Sequence, residues 1–339
     1  MPEKPALVSI VIPMYNAEKT MKLCLDAVFK QDYPEFEVIV VDDCSKDNSL
    51  EIVQNYNARY IKMPENRGPA EARQEGARNA NGEIIAFTDS DCVPHPDWLS
   101  FLVSKLSRDY GGVGGIYEPY DMKNCINRFA IGDQFYLWFK NQIRDASVLA
   151  TGNCIYWKDV LLDRKAPESI IMQGIASGDD TLMSLEITRK HRIKVFEESR
   201  MPHIDRTNFR DLMIQKARRG TSRAIISLLF PRDKVMKTKD INMPEVALNL
   251  LMTMLLIPSF IMLIVFLPKL AFIPFLAYFI LNISYFIFWI KREKGIIFPL
   301  FAMLMQIARN FAFIYGGIRG VFHAFTRRKR MLEGREFLK

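Results

Sequence analysis

Three short runs, Leu7–Ile12, Glu37–Val41 and Ile84–Phe87, are built almost wholly from apolar and β-branched side chains; the first is stopped by Pro13 and the other two run into polar residues. A strand that is apolar on both faces has to be covered on both faces. Between the first two runs, Met21, Cys24, Leu25, Val28 and Phe29 recur at helical spacing across Ala17–Gln31, and Ser49–Tyr56 follows the second as another helix. Strand, helix, strand, helix with short links predicts an α/β domain with a mainly parallel sheet. Ligands in such sheets gather beyond the carboxyl ends of the strands, where Tyr15, Asn16, Asp42, Asp43 and Asp89 all fall.

The Ile84–Phe87 run ends in Thr88-Asp89-Ser90-Asp91. Side chains two apart on extended backbone share a face, so Asp89 and Asp91 are able to grip one hard cation, Mg²⁺ or Mn²⁺, which keeps positions open for phosphate oxygens. An Asp at the end of a strand is also an ordinary turn former, and the pair alone leaves both readings standing.

Further along, Arg59–Met63 reads as a third strand and Ala70–Asn79 as a helix closed by Asn81-Gly82. Asp97–Leu106 is helical after Pro94 and Pro96, Gly111–Tyr117 and Ser147–Trp157 are strands, and Lys158–Leu162 is a short helix. Gly178-Asp179-Asp180 opens a helix to about His191, where the two acids serve either as cap and dipole partner or in chemistry. Ile193–Phe196 is the last strand of the soluble part, and His203 follows it.

Charge divides the chain in two. Residues 1–204 carry −6 and residues 205–339 carry +14, within a net charge of +8. The basic half is also the apolar half, which favours an anionic membrane surface over nucleic acid, since no aromatic side chains alternate with bases along a soluble domain. Residues 205–243 read as a basic amphipathic segment on the bilayer surface. Val246–Pro268 is 23 residues without a charge and Leu270–Ile290 is 21, each near the ~20 needed to span hydrocarbon. Asn249 and Asn282 inside these runs are placed to hydrogen-bond between helices, and Pro258 and Pro274 to kink them. Residues 295–325 form either a third span or a re-entrant or interfacial helix, and the basic tail 326–339 with Arg327-Arg328-Lys329-Arg330 is expected on the cytoplasmic side. Cys24, Cys44, Cys92, Cys125 and Cys154 are widely spaced and odd in number, which argues for free thiols facing the cytosol and against a zinc or disulfide framework.

Val8-Ser9-Ile10-Val11-Ile12-Pro13-Met14-Tyr15-Asn16, Val40-Val41-Asp42-Asp43-Cys44-Ser45, Asn66-Arg67-Gly68, Asn81-Gly82-Glu83 and Thr88-Asp89-Ser90-Asp91 stand in one order and at one set of spacings. That series resembles the membrane-associated family 2 glycosyltransferases over about residues 7–223. The resemblance implies a GT-A (Rossmann-like) catalytic domain over residues 1–204, the interfacial segment 205–243 and a membrane domain 244–325. It implies Pro13, Tyr15 and Asn16 in a nucleotide pocket, Asp43 at the base, and Arg67, Gly68 and Arg73 along the nucleotide. Asp89, Ser90 and Asp91 would form the family's Asp-x-Asp, with Asp89 and Asp91 holding metal and diphosphate.

The usual Glu-Asp pair of that family stands here as Asp179-Asp180, so Asp180 is the expected general base of an inverting transfer and Asp179 its acceptor-side neighbour. His203 matches a metal-ligand histidine, with a plain hydrogen-bonded histidine as the other reading. Thr151-Gly152-Asn153 resembles the acceptor segment, although Gly-Asn also makes simple turns. Gln215-Lys216-Ala217-Arg218-Arg219-Gly220 is similar to the family's Gln-x-x-Arg-(Trp/Arg)-x-Gly region. Arg219 stands where processive synthases keep tryptophan, which argues against chain building. Arg218 and Arg219 would meet a diphosphate, a lipid phosphate or lipid headgroups, with Gln215 beside them.

The expected partners are a nucleotide-sugar donor, most commonly a UDP-sugar in that family, a lipid-linked or surface-glycan acceptor, and membrane lipids. Two other classes stay in view: a non-catalytic glycosyltransferase-like scaffold, and a nucleotidyltransferase. The second would need a Gly-rich, Lys-bearing phosphate loop that the N-terminal region lacks.

Overall fold

The structure is a computed structural model that describes the chain apart from residues 1–4, 141–147, 164–177, 205–207, 230–250, 257, 260, 262–264, 266–272, 294 and 327–339. Its centre is a seven-stranded sheet in the order β3-β2-β1-β4-β6-β5-β7. The strands are β1 (Val8–Met14), β2 (Phe36–Asp42), β3 (Arg59–Lys62), β4 (Ile84–Thr88), β5 (Tyr110–Pro119), β6 (Asn153–Trp157) and β7 (Arg192–His203). β1 pairs in parallel with β2 and β4, β2 with β3, and β5 with β7, while β6 runs antiparallel to both β4 and β5. The sheet is thus mixed and mainly parallel, as the alternation of runs and helices predicts.

Two departures from the sequence reading have simple causes. β1 does not stop at Pro13 but runs on to Met14, because its pairing with β4 ends at Val11 and the last residues have only β2 beside them. A proline is tolerated where one side of the ladder is already open. The strand expected over Ser147–Trp157 is shorter, beginning at Asn153 after a turn at Thr151-Gly152.

Helices α1 (Met21–Val28), α2 (Ser49–Val53), α3 (Pro69–Asn79) and α4 (Trp98–Lys105) cover the sheet. One core packs Val8, Ile10 and Ile12 against Met21, Leu25 and Leu99. The other packs Val11, Ile39, Phe87 and Tyr156 against Ala72, Ala77 and Met183. Even and odd positions of the same strand fill opposite cores, as period-two side chains must.

A long helix, α5 (Cys125–Lys140), has no counterpart in the sequence reading. Asn127, Phe129, Ala130, Ile131 and Asp133 are all buried, so polar and apolar side chains are mixed around the helix and no apolar stripe betrays it. After it come α6 (Lys158–Asp163), α7 (Asp179–Thr188) and α8 (Phe209–Leu229). Among the described C-terminal residues stand α9 (Ile273–Leu281), α10 (Ile283–Arg292) and α11 (Ile297–Thr326). The Leu270–Ile290 run is broken at Asn282 by a 65° bend between α9 and α10, while 297–324 is one straight apolar helix of 28 residues, long enough to cross a bilayer by length and composition. The Val246–Pro268 run and the tail after Thr326 fall largely outside the described residues.

α8 lies along α11 on small residues. A Cβ placed on Gly316 would stand 1.8 Å from the Ala217 carbonyl oxygen, and one on Gly220 would stand 2.2 Å from that of Phe313. Thr221 Oγ1 donates a hydrogen bond of 2.9 Å to the Gly316 carbonyl across this seam. Small residues on both helices let the two backbones approach this closely. Gly316→Ala is therefore expected to push the two helices apart and destabilise the chain by about 1–3 kcal/mol, visible as a lower melting temperature in detergent. Gly317→Ala, where a Cβ meets nothing within 4 Å, is the matched control.

Candidate active site

The carboxyl ends of β1, β2 and β4 lie side by side, and the loops leaving them are tied together. Asp43 N–H donates to the Met14 carbonyl at 2.8 Å, Asn16 N–H to Ser45 Oγ at 3.0 Å, and Lys46 N–H to Asn16 Oδ1 at 2.8 Å. Asn16 and Cys44 take positive φ (49° and 65°), a conformation that Asn accepts more readily than most residues. Tyr15 is 49% exposed beside them, and Pro13 is buried beneath.

Asp43 is buried, and it shapes the neighbouring loop. Its Oδ1 accepts Arg67 N–H and its Oδ2 accepts Gly68 N–H, both at 2.7 Å, while its carbonyl accepts Asn66 Nδ2 at 3.0 Å. Burial pushes its carboxyl above the usual range, and those two N–H donors pull against that rise. Gly68 turns at φ +91°, where a side chain would be strained, and Pro69 opens α3 directly after it. Arg67 itself reaches outward to Glu65 at 2.9 Å.

α3 then delivers Arg73, a buried guanidinium that pairs with Asp89 Oδ1 at 2.5 Å. Asp89, Ser90 and Asp91 are all half-buried at the end of β4. His203, the last residue of β7, brings Nε2 to 3.4 Å from Asp91 Oδ1. Tyr117 stacks against the His203 ring with centroids 4.8 Å apart and accepts the Gly152 N–H at 3.0 Å. Beneath the carboxylates, the Cys24 thiol donates to the Asp89 carbonyl at 3.4 Å; burial, then the charges of Asp91 and Asp89, push that thiol far up.

Gly152 is there because nothing larger fits. A Cβ on it would stand 2.4 Å from Tyr117 Oη and 2.7 Å from Asp89 Oδ2. Gly152→Ala is expected to displace Asp89 by a fraction of an ångström and to lower turnover by about 10²-fold, since misplacement of that order is costly in a preorganised site. A steady-state assay beside a melting curve separates this from unfolding.

Asn153, expected on the acceptor side, is fully buried instead. Its Oδ1 accepts Trp98 Nε1 at 2.9 Å and Ser199 Oγ at 3.3 Å, and its Nδ2 donates to the carbonyls of Ile116 and Ser199 at 2.9 and 3.2 Å. A side chain so engaged fastens β6 to its neighbours and offers an acceptor no surface.

Asp180 stands on the first turn of α7, after Gly178 at φ +93°. The buried Cys154 thiol is raised chiefly by burial and also feels the charges of Arg73, Asp89 and Asp180. On α8, burial lowers the guanidinium of Arg223 and the charge of Asp180 opposes that. Asp180 is half-buried, and the side chain of Asp179 lies outside the described residues. On α8, Arg218 is exposed, Gln215 and Arg219 are half-buried, and Lys216 is buried against Asp133 at 3.4 Å.

Arg223 and Tyr117 are therefore residues the sequence reading missed. Arg223 lies four positions after Arg219, so the two share a helix face, and Tyr117 ends a predicted strand; those were the available signals.

A divalent cation fits this corner. Asp89 and Asp91 are hard oxygen donors at a strand end, and His203 Nε2 lies 3.4 Å from Asp91 Oδ1, near enough for one ion to take both.

Comparison with known proteins bears on the family and the fold. The model of the family described as glycosyl transferase family 2 matches residues 9–163. An uncharacterized glycosyltransferase of Haemophilus influenzae is 40% identical over 179 residues, 51% of this chain and 68% of that protein. The Escherichia coli protein UDP-Glc:alpha-D-GlcNAc-diphosphoundecaprenol beta-1,3-glucosyltransferase WfgD is 35% identical over 127 residues, 36% of this chain and 50% of that protein. The chain spans about half the length, or less, of several curated relatives it matches. Among solved structures, the mannosyltransferase PcManGT from Pyrobaculum calidifontis, in complex with GDP-Man and Mn²⁺, aligns at a TM-score of 0.58 with 18% identity, covering 95% of this chain and 88% of that one. At such identity the likeness speaks for the fold, a GT-A-like mixed sheet.

Proposed function

Because this chain belongs to glycosyl transferase family 2, we propose that it is a membrane-anchored, metal-dependent inverting glycosyltransferase, moving a sugar from a nucleotide-diphosphate sugar to a lipid-linked or surface-glycan acceptor. The observation that carries the reading is His203 set beside Asp91 at the end of β4, with the buried Arg73 paired to Asp89 two residues earlier.

In this reading Tyr15, Asn16, Asp43, Arg67 and Gly68 form the nucleotide side, with Ser90 beside the diphosphate. Asp89, Asp91 and His203 hold Mn²⁺ or Mg²⁺. When bound, the cation supplies the positive charge that lets two phosphates approach two carboxylates, and it steadies the departing nucleotide diphosphate. Arg73 holds Asp89 in place through its ion pair. Asp180 takes the proton from the acceptor hydroxyl as that oxygen attacks the anomeric carbon. Gly152 leaves the space that a bulkier residue would fill.

The +14 charge of residues 205–339, the 28-residue apolar helix and the bent α9–α10 pair support anchoring at a bilayer, with the catalytic domain 1–204 and the tail 326–339 on the cytoplasmic face. An enzyme held there meets an amphiphilic acceptor in two dimensions, and one relative is named for a diphosphoundecaprenol-linked acceptor. UDP is the first donor nucleotide to try.

The test is an assay of nucleotide-diphosphate release by the full chain in detergent, across a panel of nucleotide sugars, with polyprenyl-diphosphate-linked saccharides and either Mn²⁺, Mg²⁺ or chelator. Metal-dependent release from one donor, coupled to acceptor elongation, is expected. Release of pyrophosphate would point to nucleotidyl transfer, and no turnover with any pair to a scaffold.

A further inference from the structure

Cys92 has no part in the mechanism above, yet it stands at the metal corner. It follows Asp91 directly, is fully buried, and pairs with His203 across an isolated antiparallel bridge. The bridge is clamped from both sides: Val93 N–H donates to the Pro202 carbonyl at 2.9 Å, and Ile204 N–H to the Asp91 carbonyl at 2.8 Å. Directly opposed residues in such a pair carry their side chains on the same face. One ligand atom each of Asp91, Cys92 and His203 consequently lies within 4.8 Å of the other two. Tetrahedral ligands at zinc-like bond lengths stand about 3.4–3.7 Å from one another, and the His203 Nε2 to Asp91 Oδ1 separation is already 3.4 Å.

We propose that Asp91, Cys92 and His203 form a binding site for a soft divalent cation, Zn²⁺ or Cd²⁺, in which the Cys92 sulfur is a ligand and the fourth position is open to solvent. The donor set decides the class of metal. Carboxylates with water suit Mg²⁺ and Mn²⁺, whereas thiolate and imidazole together select Zn²⁺ and its heavier congener. On binding, the thiol gives its proton to the solvent and coordinates as thiolate. Asp91 and His203 belong to both arrangements, so the soft ion and the ion that serves the diphosphate exclude each other. The two segments are locked by the backbone bridge, so the three donors are brought together by the fold and not by the metal. The inference rests on this geometry and holds whether or not the chain transfers sugar.

The decisive measurement needs no variant. The purified full chain is loaded with one equivalent of Zn²⁺ and its X-ray absorption fine structure recorded. One sulfur at about 2.3 Å with nitrogen and oxygen ligands at about 2.0–2.2 Å is expected, and a shell of nitrogen and oxygen alone overturns the site. A Cd²⁺ titration then assigns the sulfur. In a Cys125→Ser background, which removes an exposed thiol, the sulfur-to-cadmium charge-transfer band should saturate at one ion per chain. It should vanish on adding Cys92→Ser and persist on adding Cys24→Ser. A band that survives Cys92→Ser unchanged assigns the sulfur elsewhere and overturns the proposal.

Discussion

Asp180→Asn is expected to lower turnover by about 10²–10⁴-fold while leaving the binding of donor nucleotide and metal almost unchanged. The substitution keeps shape and removes only the capacity to take a proton. Asp180 sits on the first turn of α7, a different element from the β4 end that carries Asp89 and Asp91, so the substitution leaves those two carboxylates in place. Asp91→Asn should do the reverse and lose metal-dependent nucleotide binding itself. The two variants therefore separate chemistry from binding: a kcat defect with normal nucleotide affinity for Asp180, and a binding defect for Asp91. Equal loss of binding in both would mean that Asp180 belongs to the donor site and that the base lies elsewhere.

The second large effect lies at the junction between the catalytic domain and the C-terminal helices. Asp133 on α5 is buried, and its carboxylate meets Lys216 of α8, Arg309 of α11 and the Tyr285 hydroxyl of α10 at 3.1 Å. Four elements thus share one buried charge. Asp133→Asn removes the counter-charge and leaves two cations facing each other in a site closed to water. Breaking a buried pair from one side costs about 3–5 kcal/mol, so the variant should melt far below the parent or fail to accumulate. Asp133→Asn combined with Arg309→Met should recover part of that loss, because the two sites are coupled.

The pH dependence has a definite sign. Burial opposes ionisation of Asp133, but Arg309 and Lys216 overcome it and hold the carboxyl below the usual carboxylate range. Its contribution is fully present above the unfolded value of about 3.9 and is lost as pH falls through the lower folded value. The gap in melting temperature between parent and Asp133→Asn should then be widest near neutrality and close below about pH 4. A gap that widens in acid would contradict this.

What was legible in the sequence follows from how local each signal is. β1, β2 and β4 are largely buried runs, β2 and β4 with acids at their ends, and those can be read one segment at a time. Arg73 meets Asp89, and His203 comes beside Asp91 although β6 and β5 separate β7 from β4 in the sheet, because the end of β7 bridges back to Cys92. Asn153 was misread for the opposite reason. A Gly-Asn pair after a strand looks like a surface turn, and only the packing of β6 between β4 and β5 turns its amide inward to Trp98, Ile116 and Ser199. α5 was invisible because its buried face mixes Asn127 and Asp133 with Phe129 and Ile131. Its polar residues are satisfied by helices that come far later in the chain, a pairing no local pattern records. The C-terminal half shows the same limit: Asn282 of the 21-residue run does hydrogen-bond to another helix, accepting Gln306 Nε2 of α11, but the 65° bend falls at Asn282, whose amide donates to the Tyr278 carbonyl, and not at the expected Pro274.

The claim at the centre is that the β1–β2–β4 edge holds a nucleotide diphosphate through a divalent cation on Asp89 and Asp91. It is tested most directly by the thermal stability of the full chain in detergent against a panel of nucleoside diphosphates, each with Mn²⁺, Mg²⁺ or chelator. One nucleotide should stabilise the chain only when metal is present, by about 2.7 kcal/mol at 100 times its Kd, and that shift should persist in Asp180→Asn and disappear in Asp91→Asn. A cooperative melt that no nucleotide shifts, or a shift that chelator leaves intact, would contradict the account.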